Sequence, residues 1–545
     1  MKRLTLYPFL IGLFVLLAVY VANADVVMLH ELAWPVSIVL ALTAILLGIT
    51  ALIYRSIHRA SLPTAAAIFI FLTFGQWRQV VWYLTMPLNT HQAQAVAMRL
   101  LILQGLILAW IAYLAAFRIK QPRIWTLRLN QFSSVLLCCP LVLWTARKLD
   151  THWPSGLPGS NSAQALQIHP APSAQADYPD IYLIIADAHG RQDILRSMYD
   201  YDDGPFLQHL RDKGFFVAAA SHGNYAYTEL SVASMLNLRY LSEFNNLKLT
   251  TWEPLMPLLR HSTLVAILKG LGFRYVTFET ALEDLCLPNS DDYISQPDRY
   301  RITPFQQLLL DTTLLSQFGG EKLKRRLMGP QPDLFQEKRQ IILFELAQAP
   351  NAVKLRGPKF VFLHLLCPHA PFVFAVDGSD PVQRGYGSYI DPGLNVDYTV
   401  DMYRDWYAQQ ARYIDGRLSN MIDEILAESA KPPTIVLISD HGPRSEVKWA
   451  NDNPKDSNLN ECMSNLTAIY LPPRPGFAGT ASETGGLYSS ITPVNIFRVI
   501  LNDYFDAGLT LLPDKVYFSC PWPFAFHDVT SDVRRGNSDP KRKPR

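Results

Sequence analysis

Five apolar runs fill most of the first 147 residues, and each is about long enough to cross a bilayer. They cover residues 6–24, 33–54, 62–84, 97–117 and 129–146. At 1.5 Å per helical residue, about 20 residues span the roughly 30 Å of hydrocarbon. Trp34, Trp77, Trp82, Tyr83, Trp110 and Trp144 fall near run ends, where an aromatic belt would sit. Core helices of a water-soluble protein rarely form such a series.

Positive charge sets the orientation. Lys2 and Arg3 precede the first run, Arg55 and Arg59 follow the second, and Arg118, Lys120, Arg123 and Arg128 follow the fourth. The intervening loops, 25–32 and 85–96, carry neither Lys nor Arg. This places the N-terminus inside and everything after the fifth run outside, at a plasma or inner membrane. Val21-Ala22-Asn23-Ala24 has the small-x-small form of a signal-peptidase site. The run before it is long for a signal segment, which favours an uncleaved anchor, and the later spans keep their orientation in either case. The formal net charge of +2 gives no sign of a nucleic-acid surface.

Residues 148–177 are rich in Pro, Ser, Ala and Gly and read as a linker. From residue 178 short apolar strands alternate with helices. The strands are 181–186, 215–217, 273–278, 360–365, 434–439 and 466–471; the helices are 206–213, 264–271, 403–426 and 492–501. This alternation predicts an α/β sandwich with a largely parallel sheet. The expected organisation is a membrane bundle over 1–147, a linker, an outer domain over 178–525 and a basic tail over 526–545. Cys286, Cys367, Cys462 and Cys520 lie in the outer domain, free or bridged in one of three pairings.

In such sheets ligands bind beyond the carboxyl ends of strands, so the residues there are the candidates. Asp187 follows the first strand, as a metal ligand or a helix cap. Asp440 and His441, followed by Gly442, end a later strand and offer oxygen and imidazole nitrogen to one divalent cation. Thr228 in Tyr227-Thr228-Glu229-Leu230-Ser231 is a nucleophile or a helix cap. His369 in Cys367-Pro368-His369-Ala370-Pro371 lies beyond a middle strand. His189 and Arg444 stand near these motifs as substrate contacts or structural groups.

In this order the motifs Asp-x-x-Gly, Thr-x-x-Ser, His-x-Pro-Phe and Ser-Asp-His-Gly resemble the sulfatase-like branch of the alkaline phosphatase superfamily. Spans preceding an outer domain are similar to lipoteichoic acid synthases, phosphoglycerol transferases and phosphoethanolamine transferases. The resemblance implies one divalent metal ion (Mn, Zn or Mg) on Asp187, Thr228, Asp440 and His441. It makes Thr228 the nucleophile, where true sulfatases carry a Cys or Ser converted to formylglycine. Ser231 and His369 match substrate-binding positions. Leu230 and Val232 stand where the sulfatase signature has Pro and Arg, which argues against sulfate-ester hydrolysis. Asp187 stands where lipoteichoic acid synthases carry Glu.

The implied reaction is transfer of a phospholipid headgroup, phosphoglycerol before phosphoethanolamine, through a phospho-threonine to an envelope glycan or glycolipid. A membrane-anchored phosphodiesterase or sulfuric ester hydrolase would use the same site, and a non-catalytic relic of the fold would not need a nucleophile beside it. Arg78 meets a donor phosphate or snorkels to the interface. Residues 304–328, leucine-rich and then basic, form a helix resting on lipid headgroups or packed on the domain.

Overall fold

The structure, a computed structural model, describes residues 4–24, 27, 29–85, 90–149, 178–287, 289–296, 303–315, 334–381, 399–449, 451, 453–472 and 486–536. The linker from 150, the basic stretch 322–328 and the tail beyond 536 lie outside the described residues. The chain divides into two compact units, Met1–Trp153 with Pro297–Gln331 and Pro154–Gln296 with Pro332–Arg545.

The first unit is a bundle of α1 (Tyr7–Ala22), α2 (Ala33–Tyr54), α3 (Ile57–Thr85), α4 (Thr90–Tyr113) and α5 (Pro122–Leu149). Four stretches, Leu29–Tyr54, Ile57–Arg78, Met98–Arg118 and Pro122–Ala146, are long and apolar enough to cross a membrane, whereas the first apolar helix is shorter. Asparagines mark its ends. Asn130 Oδ1 accepts from the Leu6 and Tyr7 N–H groups at 3.0 and 2.9 Å. Asn23 bonds back to the Val19 carbonyl at 2.8 Å.

A helix far along the chain joins this bundle: α11, Pro304–Thr312. Thr303 and Gln306 form a capping box, with Pro at the first turn. Phe305 and Leu309 bury themselves in one apolar cluster with Val15, Leu16, Ile68 and Leu72. Leu314 N–H donates to the Phe71 carbonyl at 2.8 Å. Gly75 permits the approach, because a Cβ there would overlap the Asp311 carbonyl and stand 2.8 Å from Thr312 Cα. Of residues 304–328, expected to rest on headgroups or on the outer domain, the described part packs on the bundle.

The second unit is a seven-stranded sheet in the order β2-β7-β6-β1-β5-β3-β4. Its strands are β1 (Ile181–Ala186), β2 (Phe216–Val217), β3 (Arg274–Phe278), β4 (Asp292–Ile294), β5 (Lys359–Leu365), β6 (Thr434–Ile438) and β7 (Thr467–Tyr470). β1 pairs in parallel with β5 and β6, and β3 with β4 and β5. β7 is antiparallel to both β6 and β2, so the parallel pattern stops at that edge.

The helices are α6 (Gln192–Met198), α7 (Gly204–Asp212), α8 (Thr228–Leu236), α9 (Met256–Arg260), α10 (Thr263–Gly270), α12 (Leu334–Gln348), α13 (Val400–Glu428), α14 (Leu459–Met463), α15 (Pro493–Phe505) and α16 (Thr530–Gly536). Alternate residues of the central strands feed two cores. Leu183, Phe362 and Val436 pack with α8, α10 and α15; Ile184, Leu363 and Leu437 pack with α7, α12 and α13. The result is a three-layer α/β/α domain. A small hairpin, β8 (Tyr517–Ser519) with β9 (Phe526–Asp528), and then α16 carry the fold past residue 525.

Candidate metal centre

β1, β5 and β6 run in parallel and so end at one edge of the sheet. Asp187 follows β1, His369 lies four residues beyond β5, and Asp440 and His441 follow β6. The strand ends are joined directly: Asp187 N–H donates to the Leu365 carbonyl and His369 N–H to the Asp187 carbonyl, each at 3.0 Å. Ala188 holds a left-handed backbone (φ 63°), and its N–H lies 3.3 Å from Asp440 Oδ1. Such strain in a residue with a side chain persists only where its surroundings fix it. Gly442 is needed for close approach, since a Cβ would overlap the Glu461 carbonyl and stand 2.6 Å from that of Ser464.

The imidazoles reveal what the centre is built to hold. His441 Nδ1 lies 2.8 Å from the Gly442 carbonyl, and His369 Nδ1 lies 2.6 Å from the Ala370 carbonyl. A carbonyl only accepts, so each Nδ1 carries the proton and each Nε2 presents a lone pair. His441 Nε2 stands 3.2 Å from Asp440 Oδ2 and 3.5 Å from Asp187 Oδ1. Both of those oxygens are buried with no hydrogen-bond partner. Lone pairs facing one another out of water, with no proton between them, fit a cation. Asp187, His369 and His441 each offer a ligand atom within 4.8 Å of the others, a site able to hold a divalent ion. His369, expected to bind substrate, is thereby among the possible ligands.

The charges agree with this arrangement. Burial, then the neighbouring Asp187 charge, pushes Asp440 up to about 6. Burial and the Arg444 charge push His441 down to about 3, so its ring is neutral. Thr228 is the first residue of α8, and its Oγ1 lies 3.4 Å from Asp187 Oδ2 and 3.3 Å from His441 Nε2.

The Sulfatase family description matches residues 179–466, more than half of the chain. The chain belongs to the sulfatase family. No curated protein matches it. Among solved structures, the C-terminal periplasmic domain of EcEptC from Escherichia coli, in complex with Zn, is 14% identical, with 65% of this chain and 93% of that one covered and a TM-score of 0.40. Lipooligosaccharide phosphoethanolamine transferase A from Neisseria meningitidis is 12% identical, with 91% and 93% covered and a TM-score of 0.38. The phosphonate monoester hydrolase of Agrobacterium radiobacter is 15% identical, with 62% and 75% covered and a TM-score of 0.36.

With its apolar helices, the protein is a multi-pass membrane protein whose sulfatase domain faces the periplasm. A sulfatase domain with a three-residue cation site is metal-dependent catalytic machinery of the alkaline phosphatase/sulfatase type.

Three residues expected at the substrate have other occupations in this sulfatase domain. Ser231 is buried and donates to the Asp440 carbonyl at 2.9 Å, tying α8 to the end of β6. Both ring nitrogens of His189 are occupied, by Asp415 Oδ1 at 2.7 Å and the Gly190 carbonyl at 3.0 Å, in a fully buried ion pair. Arg444 donates to the Ala226 carbonyl and lies over the rings of Tyr227 and Trp449, so it acts on the centre through its charge. One residue was missed altogether. His364 in β5 places Nε2 3.2 Å from Asp187 Oδ2, while Nδ1 lies 3.0 Å from Thr280 Oγ1. The available signal was one ionisable residue interrupting the apolar run 360–365.

Proposed function

We propose that this sulfatase-family protein transfers a phospholipid-derived phosphoryl headgroup, phosphoglycerol before phosphoethanolamine, to an envelope glycan or glycolipid through a phospho-threonine. The observation that carries the reading is the Thr228 hydroxyl, 3.3 Å from the His441 lone pair and 3.4 Å from Asp187, in a membrane-anchored chain. A threonine cannot become formylglycine, so the hydrolytic route of true sulfatases is closed to it.

A divalent ion (Mn, Zn or Mg), held by Asp187, Asp440 and His441 with His369 beside them, would supply charge for the phosphoryl oxygens and ease the loss of the Thr228 proton. Thr228 Oγ1 forms its bond to phosphorus as the bond to the lipid oxygen breaks, and the released oxygen takes the proton to give diacylglycerol. The N-terminus of α8, which Thr228 opens, would favour negative charge on the phosphoryl oxygens. An acceptor hydroxyl then attacks the same phosphorus, and Thr228 regains its proton. Dividing the displacement lets one site serve donor and acceptor in turn.

The test is the intact mass of the full chain after incubation with phosphatidylglycerol or phosphatidylethanolamine and Mn or Zn. A metal-dependent adduct absent from Thr228→Ala is expected, and its mass names the headgroup. Diacylglycerol release with no acceptor present would make water the acceptor and the protein a phosphodiesterase. Neither adduct nor release with either lipid overturns the reading.

A further inference from the structure

The loop that carries His369 rests on a buried lysine. α12 turns one face to the sheet, and Lys338, Ile341, Ile342, Glu345 and Leu346 lie along it at helical spacing, all buried. An apolar residue is the default at such a position, and lysine is almost never fully buried unless paired. Lys338 is 0% exposed, yet its ammonium bonds no carboxylate among the described residues. Its Nζ donates instead to the His369 carbonyl at 2.6 Å and the Pro371 carbonyl at 2.8 Å. Gln410 of α13 holds the same loop, donating to the Pro368 and His369 carbonyls at 3.0 and 3.1 Å and accepting from Val373 N–H at 2.7 Å.

The aim of the His369 ring follows from this backbone, because Nδ1 is fixed by the Ala370 carbonyl one residue on. Whatever fixes residues 369–371 therefore fixes where Nε2 points. The charge has a second consequence. A buried cation with no carboxylate bonded to it is costly. An anion bound at the adjoining centre would supply the missing counter-charge.

We propose that Lys338 is the positioning residue of the phosphoryl pocket: it holds the His369–Pro371 backbone so that the imidazole faces the centre, and it lends the pocket a positive charge for an anionic phosphoryl group. The proposal rests on the phosphoryl reading above. Only the pocket's affinity for a phosphoryl oxyanion matters to it, not the lipid donor.

The test is calorimetric titration of inorganic phosphate into the Mn-loaded full chain in nanodiscs, for the wild type, Lys338→Met, Gln410→Met and Thr228→Ala. Lys338→Met is expected to weaken phosphate binding about tenfold. Gln410→Met, which loosens the same carbonyl without changing charge, should stay within about threefold. A folded Lys338→Met with wild-type phosphate affinity overturns the proposal, as does equal weakening in both variants in proportion to their loss of melting temperature. If Lys338→Met does not fold, Lys338→Arg is read in its place. Phosphate affinity near wild type with reduced turnover of an aryl phosphodiester is then expected, and a tenfold loss of affinity overturns the charge role. Phosphate binding that depends on Lys338, in a protein that forms no Thr228 adduct, would leave this inference standing while the transfer reading fell.

Discussion

The membrane bundle and the sulfatase domain bury opposite kinds of residue. In the bundle Leu52, Ile53 and Val135 are 82%, 72% and 68% exposed, while Thr43, Ser61, Thr64 and Ser133 are fully buried. In the sulfatase domain Ile184, Leu363 and Leu437 are fully buried, and buried Asp187, His369, Asp440 and His441 lie beyond the strand ends. The first pattern suits a lipid solvent, in which small and hydroxyl residues pack helices together and apolar ones face outward. The second suits water, where a buried ionisable group needs a partner or a task. Buried polarity is thus ordinary packing in one region and a functional pointer in the other. The predictions below attack that contrast, the largest effect first.

Removing the Thr228 hydroxyl should strike function and spare the fold. Thr228→Ala is expected to lower headgroup turnover by about 10⁴-fold or more while the melting temperature changes little. Diacylglycerol release within tenfold of wild type would remove Thr228 from the chemistry. Chelation should act on stability in the sulfatase domain alone. Without a cation, the unpartnered oxygens of Asp187 and Asp440 are left in a buried site. Saturation at about 1,000 times Kd contributes about 4 kcal/mol, which calorimetry with and without chelator would detect. If the bundle's transition moved equally, the cation would not belong to this centre.

Glu461 tests buried polarity away from the nucleophile. Its Oε1 accepts from Ser445 N–H at 3.0 Å, from Ser445 Oγ at 2.5 Å and from Tyr199. Burial outweighs these bonds and pushes its pKa up from 4.5 to about 7. The folded state therefore keeps this proton after the unfolded chain has lost it. Its contribution is intact below the unfolded value and declines as pH rises from about 4.5 to about 7, by roughly 3 kcal/mol at most. Glu461→Gln cannot ionise, so its melting temperature should gain on the wild type across that window. Parallel melting curves would show that Glu461 does not titrate there.

How legible these regions were in the sequence follows from the same contrast. The apolar runs became helices because a bilayer demands length and apolarity, both visible locally. β1, β5 and β6 were equally plain, as apolar runs ending in Asp187, the His369 loop and Asp440-His441. The antiparallel direction of β7 was hidden, since a short buried strand carries the same pattern either way. The tasks of Ser231 and His189 were hidden too, because a partner more than 200 residues away leaves no local trace. The packing of α11 was hidden for a related reason: its apolar face fits a headgroup layer, a domain or a bundle alike, and nothing local marks the choice of the face at Gly75.

That choice can be broken at one atom. Gly75→Val should push α11 off the bundle at about 1–3 kcal/mol, seen as faster hydrogen exchange over residues 304–312. Gly105 of α4, where a Cβ meets nothing within 4 Å, is the control, and Gly105→Val should leave α11 protected. Equal exchange in both variants would mean that the Gly75 contact does not hold the helix.

The smallest effect is the most informative about solvent. Tyr7 donates to Ser61 Oγ at 2.8 Å, a buried bond between α1 and α3. In water, leaving a buried hydroxyl unpartnered costs about 1–3 kcal/mol. In a bilayer the unfolded helices find other partners for it, and such bonds average about 0.6 kcal/mol. Tyr7→Phe should therefore lower bundle stability by only about that much in a reversible unfolding titration in mixed micelles. A loss near 3 kcal/mol would mean that α1 is held as a water-soluble core is held. The short first helix would then owe its place to specific polar contacts rather than to the membrane around it.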